Sequence, residues 1–176
     1  MKRIVADSSG LILLAKCSLL EIVCTIFEVV VPPLVTNETA SEELVRKYPD
    51  AALIRDLISR GNIKINRPGP AEFQLPVSLH HGEESALLLA LNSGDSLFAT
   101  DDGKAIKAAR FLNIPFTITP KLVVDLFRLE QISLKKARQS IEKLGKVGRY
   151  SPEIIAEAIL SLMEANDGKA HNNKDT

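Results

Sequence analysis

The sequence predicts an α/β fold: a three-layer α/β/α sandwich with a central parallel sheet and additional helices at the C-terminus. One observation leads to this prediction, and a second indicates where a site would lie. Short apolar segments typical of buried strands alternate with longer segments typical of helices, which favours parallel strands with helices on both faces of the sheet. Acidic residues also stand where strands and helices meet, at Asp7, Glu38, Glu83, Asp101 and Asp102.

Five segments are predicted to be strands because they are short, apolar and rich in β-branched or aromatic residues. In chain order these segments are residues 3–7, 27–31, 63–65, 97–100 and 116–118. Pro32 and Pro33 end the second strand, because proline cannot donate a hydrogen bond to a neighbouring strand. Residues 66–82 are rich in proline and glycine and are predicted to form an irregular surface loop.

Helices are predicted where capping residues or prolines precede apolar segments. The first begins at Leu11, after the capping residues 7–10, and carries Cys17 and Cys24 on one face. A second helix follows Pro33 and ends near residue 48. The remaining helices are expected at residues 50–58, 83–92, 102–112, 120–129, 134–144 and 152–165.

The composition limits the possible functions. A chain of 176 residues can bury a core as a single domain without disulfides, and its two cysteines are expected to be buried and reduced. The 22 basic and 22 acidic residues give a net charge of zero, which argues against tight non-specific binding to nucleic acid but allows a local basic face. No apolar segment approaches the roughly 20 residues that span a bilayer. We expect a cytoplasmic protein without membrane contact.

The acidic residues predict a site for a divalent cation. Asp7 and the pair Asp101 and Asp102 follow strands, and Glu38 and Glu83 lie in helices that can face them. Ligands of parallel sheets bind at the carboxyl ends of the strands, so one shared pocket is expected there. Without a cation such carboxylates would repel each other and a phosphate group. With Mg²⁺ they could promote cleavage of a phosphodiester.

Other catalytic templates fit the sequence poorly. It contains neither a GxxxxGK[ST] phosphate loop nor a GxGxxG motif. An aspartyl phosphatase would carry a second aspartate two residues after Asp7, where this chain has Ser9. Neither Ser8 nor Ser9 stands in a GxSxG motif, so an acyl-transfer nucleophile is not expected.

Four motifs together resemble a known family. The segments VADSSGLI, VPPLVTNE, GEESALLLAL and LFATDDGKAIKAA occur in this order, and with them the chain resembles the PIN-domain family of ribonucleases, most closely VapC-like toxins, over roughly residues 3–130. The resemblance implies a PIN-like nuclease domain at residues 1–130. We then expect a helical extension packed on that domain at residues 131–165 and a flexible tail at residues 166–176.

The resemblance also implies an activity and a set of site residues. It implies cleavage of single-stranded RNA with Mg²⁺ or Mn²⁺, a homodimer, and a small antitoxin as partner in a toxin–antitoxin pair. The residues expected to be catalytic and to bind the metal match the four acidic positions of the family: Asp7, Glu38, Glu83, and Asp101 or Asp102.

Two hydroxyl side chains, Ser9 and Thr100, match positions that orient the acids or the metal-bound water in the family. One position departs from the pattern, since Glu83 stands where VapC toxins usually have aspartate. Glu84 follows directly and could take the same role.

Simpler explanations exist for single residues. Asp7 could be only a helix N-cap, and Glu38 and Glu83 could be only favourable charges near helix N-termini. Lys104, Lys107 and Arg110 could contact RNA phosphates or form a solvated helix face. The cations between residues 133 and 149 could attract RNA or an acidic partner, or serve solubility alone: they are Lys135, Lys136, Arg138, Lys143, Lys146 and Arg149.

Two other functions remain open from the sequence. One is a non-catalytic PIN-fold module that binds RNA or a protein. The other is a metal-dependent phosphatase that acts on small substrates. Cation binding separates the first from a nuclease, and a comparison of an RNA oligomer with a simple phosphate ester separates the second.

Overall fold

The computed structural model describes residues 2–70, 75 and 77–172, and the side chains of these residues up to 168. The strands within this part of the chain form one all-parallel sheet in the order β3-β2-β1-β4-β5. They are β1 (Arg3–Ala6), β2 (Glu28–Val31), β3 (Ile63–Ile65), β4 (Ser96–Ala99) and β5 (Phe116–Thr117). The predicted parallel sheet is confirmed.

Helices connect the strands and continue after the last one. In chain order they are α1 (Ser8–Lys16), α2 (Leu20–Ile26), α3 (Pro33–Ala40), α4 (Glu42–Lys47), α5 (Pro49–Ser59), α6 (His81–Asn92), α7 (Gly103–Phe111), α8 (Thr119–Arg128), α9 (Leu134–Val147) and α10 (Pro152–Asn172). α1 and α6 pack on β1, α2 packs on β2, and α5 packs on β3. The described residues thus form the predicted α/β/α sandwich, with additional helices at the C-terminus.

The strand order brings two chain segments together at the carboxyl edge of the sheet. From the central strand β1 the sheet extends to β2 and β3 on one side and to β4 and β5 on the other. β1 and β4 are paired up to Ala6 and Ala99. The residues that follow these two strands are therefore neighbours, at the position where the strand order reverses. In open parallel sheets that position is where ligands bind.

Two predicted helices are interrupted in the structure. The helix expected from Leu11 is broken between α1 and α2, because Ser18 has a positive φ of 55° and the two parts diverge by 112°. Cys17 and Cys24 therefore do not share a helix face, which corrects the prediction. Both are buried without a disulfide, as expected. The helix expected after Pro33 breaks at the extended residue Ser41.

A tertiary contact that sequence patterns do not show accompanies the break at Ser41. The carbonyl of Ala40 accepts a hydrogen bond from Arg55 Nε at 2.8 Å, donated from α5. This bond satisfies a carbonyl at the end of α3 that has no partner within the helix. The side chain of Arg55 thus stabilises the end of α3.

Smaller differences concern segment ends. α5 begins at Pro49, without a capping hydrogen bond from a side chain. α10 extends to Asn172, seven residues beyond its predicted end at residue 165, so residues 166–172 are helical. The described residues between β3 and α6 form no regular structure, as predicted, and residues 71–74 and 76 of this loop lie outside the description, as do residues 173–176 of the tail.

The chain divides into two compact units, Met1–Ile118 and Thr119–Thr176. The first contains the sheet and α1 to α7. In the second, α8, α9 and α10 pack on one another, whereas the prediction placed the α8 segment in the nuclease domain. No single helix of the described residues is long and apolar enough to cross a membrane, although the bent pair α1–α2 meets that test by length and composition.

Candidate active site

Asp7 is the centre of the candidate site. It follows β1 directly, has 0% exposure, and its backbone N–H donates to the carbonyl of Ala99 at 3.1 Å. Its Oδ1 accepts hydrogen bonds from Ser9 Oγ at 2.7 Å and from the N–H of Gly10 at 3.0 Å. Its Oδ2 accepts one from the Thr100 hydroxyl. This carboxylate is thus held from both β1 and β4.

Burial changes the acidity of this group. Removal from water disfavours the anion and raises the pKa of Asp7 from 3.8 to about 6. The hydrogen bonds from Gly10, Thr100 and Ser9 oppose this shift, while the charge of Asp101 adds to it. A buried carboxylate with this pKa is one that a nearby cation would return to its charged form.

The segment after β4 is attached to Asp7 through two hydroxyls. The N–H of Asp101 donates to Ser9 Oγ at 2.9 Å, and the N–H of Asp102 donates to Thr100 Oγ1 at 3.2 Å. Each hydroxyl in turn donates to Asp7. Ser9 and Thr100, the residues predicted to orient the acids, therefore contact both Asp7 and the backbone of the following aspartates.

Asp101 and Asp102 have different roles in the structure. Asp102 is the N-cap of α7, and its Oδ1 accepts hydrogen bonds from the N–H groups of Lys104 at 2.8 Å and Ala105 at 2.9 Å. Asp101 is the residue whose charge acts on Asp7. Of the two candidates for the fourth acid, Asp101 is therefore the better placed.

Glu38 connects two elements of the site. Its exposed side chain on α3 accepts a hydrogen bond from the Ser8 hydroxyl, next to Asp7. Its carboxylate also lies directly over Gly82, so close that a Cβ at residue 82 would collide with both carboxylate oxygens. Glu38 thus lies between the first turn of α1 and the first turn of α6.

Glu83 follows Gly82 and caps its own helix. Its Oε2 accepts a hydrogen bond from the N–H of His80 at 3.0 Å, at the start of α6. Glu84, His80 and His81 are exposed. The capping role considered for Asp7 is therefore real, Glu83 caps α6 in addition to lying near its N-terminus, and both residues also lie beside other predicted site residues.

The five predicted acids lie on adjoining segments, but their side chains do not converge on one point. Among the described residues, no three acidic, histidine or cysteine side chains converge closely enough to hold a metal ion. Asp7, Glu38, Glu83 and Asp102 each accept hydrogen bonds from neighbouring donors. The donor set consists of carboxylate oxygens alone, which fits a hard divalent cation.

Sequence reasoning missed Ser8 and Gly82. Ser8 was considered as a helix-capping residue and rejected as a nucleophile, and its bond to Glu38 joins residues 30 positions apart. The one available signal was a glycine directly before the predicted start of a helix, beside a candidate acid. Without knowledge of how α3 packs on α6, that signal does not identify a partner.

The predicted phosphate contacts lie along α7. Lys104 and Lys107 are exposed, and Lys104 lies in the first turn, beside Asp102. The guanidinium of Arg110 lies 5.4 Å from the ring centre of Phe116, a cation–π contact. Arg110 is also about 9 Å further along the helix axis than Lys104, from the rise of 1.5 Å per residue. Lys104 is thus the best placed of the three.

Comparison with known proteins identifies the family. The chain matches no curated protein and no solved structure. A family model described as a PIN domain matches residues 3–165, nearly the whole chain and parts of both compact units. PIN domains are generally nucleases. The parallel sheet, the acidic residues at its carboxyl edge and this match agree, and the chain belongs to the PIN-domain family.

Proposed function

We propose that this protein is a metal-dependent endoribonuclease that cleaves phosphodiester bonds of single-stranded RNA and uses Mg²⁺ or Mn²⁺. The observation that carries the proposal is the buried carboxylate of Asp7 at the reversal of strand order, oriented by Ser9 and Thr100 and facing the charge of Asp101. A buried carboxylate beside a second one is unfavourable for the fold alone. A cation between them would compensate both charges.

Each residue has a role in this proposal. Asp7, Glu38, Glu83 and Asp101 would hold the cation, and Asp102 would keep its role as the cap of α7. When bound, Mg²⁺ or Mn²⁺ supplies an activated water and neutralises charge that develops at the phosphorus. Ser9 and Thr100 orient Asp7, Ser8 orients Glu38, and Lys104 contacts a phosphate of the RNA.

The proposal includes a finer assignment that rests on the four VapC-like motifs. In that assignment the protein is the toxin of a toxin–antitoxin pair, forms a homodimer and is neutralised by a small antitoxin. A small reading frame that overlaps the start of this one, and whose product blocks cleavage when co-expressed, is the expected finding. Its absence would remove the toxin assignment and leave the nuclease proposal intact.

The activity is tested with Asp7→Asn. This variant should lose cleavage of a single-stranded RNA oligomer in Mn²⁺ while its circular dichroism spectrum stays that of the wild type. Asp56→Asn is the matched control, because Asp56 lies on α5 in an ordinary ion pair with Arg60 at 2.8 Å. Cleavage by Asp7→Asn at the wild-type rate would refute the proposal.

The second candidate function is a non-catalytic module that binds RNA or a protein. One observation favours it: the carboxylates are engaged with amide and hydroxyl donors, and no three of them converge in the described residues. Calorimetric titration with Mn²⁺ separates the two candidates. Saturable heat that Asp7→Asn abolishes supports the enzyme, whereas the absence of heat in the wild type supports the binding module.

A further inference from the structure

One helix of the second compact unit carries a strongly unbalanced charge. Between residues 133 and 149, in α9 and the residues beside it, six cations accompany a single acid, Glu142, while the whole chain has a net charge of zero. The charges of the chain are thus segregated, and α9 is where the positive ones are concentrated.

Several cations on α4, α5 and α8 form ion pairs, whereas three cations of α9 form none among the described residues. α4, α5 and α8 form ion pairs three or four residues apart, among them Lys47 with Glu43 at 2.6 Å and Lys121 with Asp125 at 2.9 Å. Among the described residues, Lys135, Arg138 and Lys146 form no ion pair. Glu142 stands four residues from both Arg138 and Lys146, a favourable spacing for pairing, yet neither forms an ion pair with it.

The unpaired cations share one solvent-exposed face. Lys135, Arg138 and Lys146 are exposed and fall within an arc of about 80° around the helix at 3.6 residues per turn. They extend over about 16 Å of the helix axis. The opposite face is buried through Ala137, Ile141 and Leu144.

The composition of this face favours a polyanion over a protein. Protein interfaces have an apolar or aromatic centre, but between the cations this face presents Gln139 and Glu142. The exposed apolar residues of α9, Leu134 and Val147, are at its two ends. Contacts to a phosphate backbone require only spaced positive charges.

From these observations we infer that the face formed by Lys135, Arg138 and Lys146 binds the phosphate backbone of RNA as a second contact surface, separate from the acidic residues. The inference rests on the proposed function, since it takes RNA as the substrate. A backbone contact of this kind strengthens binding of any longer RNA without selecting its sequence. It deepens the proposal by assigning RNA affinity to one helix and the reaction to others.

The test compares two triple variants. K135Q/R138Q/K146Q removes the unpaired cations, and R46Q/K47Q/R60Q removes three cations that pair with acids on α4 and α5. Binding of a fluorescent single-stranded RNA is measured by anisotropy in EDTA at several salt concentrations. Each lost contact should reduce the slope of log K against log salt by about 0.7. Between about 50 and 200 mM salt, the factor by which RNA affinity falls should therefore be about 20 times smaller in the first variant than in the wild type. The control variant should match the wild type.

The outcomes separate this inference from the nuclease proposal. An unchanged slope in K135Q/R138Q/K146Q overturns the inference, whatever the cleavage activity. A reduced slope together with no Mn²⁺-dependent cleavage by the wild type supports the RNA surface and refutes the nuclease. Binding of polyglutamate at least as tight as that of RNA of equal charge would show a face for acidic proteins, and this also overturns the inference.

Discussion

Replacement of Gly82 by alanine should disable the active site with little effect on the fold. An added Cβ would overlap both carboxylate oxygens of Glu38. The backbone of Gly82 does not lie in the left-handed region, so alanine can adopt its conformation. The obstacle is the far end of a flexible, exposed side chain, which can move away at low cost. The overlap therefore displaces Glu38 rather than the backbone of α6.

The size of the effect follows from this geometry. To reach an ordinary separation of about 3.5 Å from the new Cβ, the carboxylate must move by roughly an ångström or more, which breaks its hydrogen bond with Ser8. That bond has a charged acceptor and contributes about 1.5–3 kcal/mol, and alanine regains up to about 1 kcal/mol of helix propensity, so stability should fall by no more than about 2 kcal/mol. A misplacement of about 1 Å in a catalytic constellation can cost about 100-fold in rate, and we expect a loss of that order.

The assay measures Mn²⁺ affinity by calorimetry and RNA cleavage in parallel, with Gly103→Ala as the control. Gly103 begins α7 beside Asp102, and a Cβ there meets nothing within 4 Å. If Gly82 acts only through Glu38, Gly82→Ala should have no further effect in a Glu38→Ala background. Wild-type Mn²⁺ affinity and cleavage in Gly82→Ala would refute the reasoning, as would fully additive effects of the two substitutions.

Two further predictions concern the acids directly. Because the pKa of Asp7 in the folded protein is about 6 and its ordinary value is 3.8, the unfolded chain releases this proton at lower pH, and stability should fall by about 3 kcal/mol as pH rises from about 3 to 7. Urea unfolding in EDTA at several pH values should show this loss in the wild type and not in Asp7→Asn. The same dependence of the unfolding free energy on pH in both proteins would contradict the prediction. Asp101→Asn should weaken Mn²⁺ binding, whereas Asp102→Asn should change it little because asparagine also caps helices. If calorimetry showed weaker Mn²⁺ binding for Asp102→Asn than for Asp101→Asn, the roles given to the two residues would be wrong.

The sheet could be predicted because its signal is local. Each strand is a short β-branched or aromatic segment, and Pro32 ends β2. Parallel strands place their carboxyl ends at one edge, so the proximity of Asp7 to the pair Asp101 and Asp102 also followed from the sequence.

The helix breaks at Ser18 and Ser41 could not be predicted from the sequence, because a serine within a helical pattern does not end a helix by its propensity alone. At Ser41 the helix ends where Arg55, from another helix, donates to the carbonyl of Ala40. The contacts of Glu38 with Ser8 and Gly82 likewise depend on how α3 packs on its neighbours. These features involve tertiary contacts, which local sequence patterns do not show.

The hydrogen bonds of the carboxylates determine how freely each one can adjust its position to a cation. A carboxylate offers about four acceptor positions. Asp7 uses three of them for Ser9, Gly10 and Thr100, so its orientation is fixed and its remaining capacity lies on Oδ2. Glu38 accepts one hydrogen bond at an exposed position and can adjust to a cation. Cation binding at this edge of the sheet would thus combine one fixed carboxylate with adjustable ones, and the position of the adjustable Glu38 depends on the absence of a side chain at Gly82.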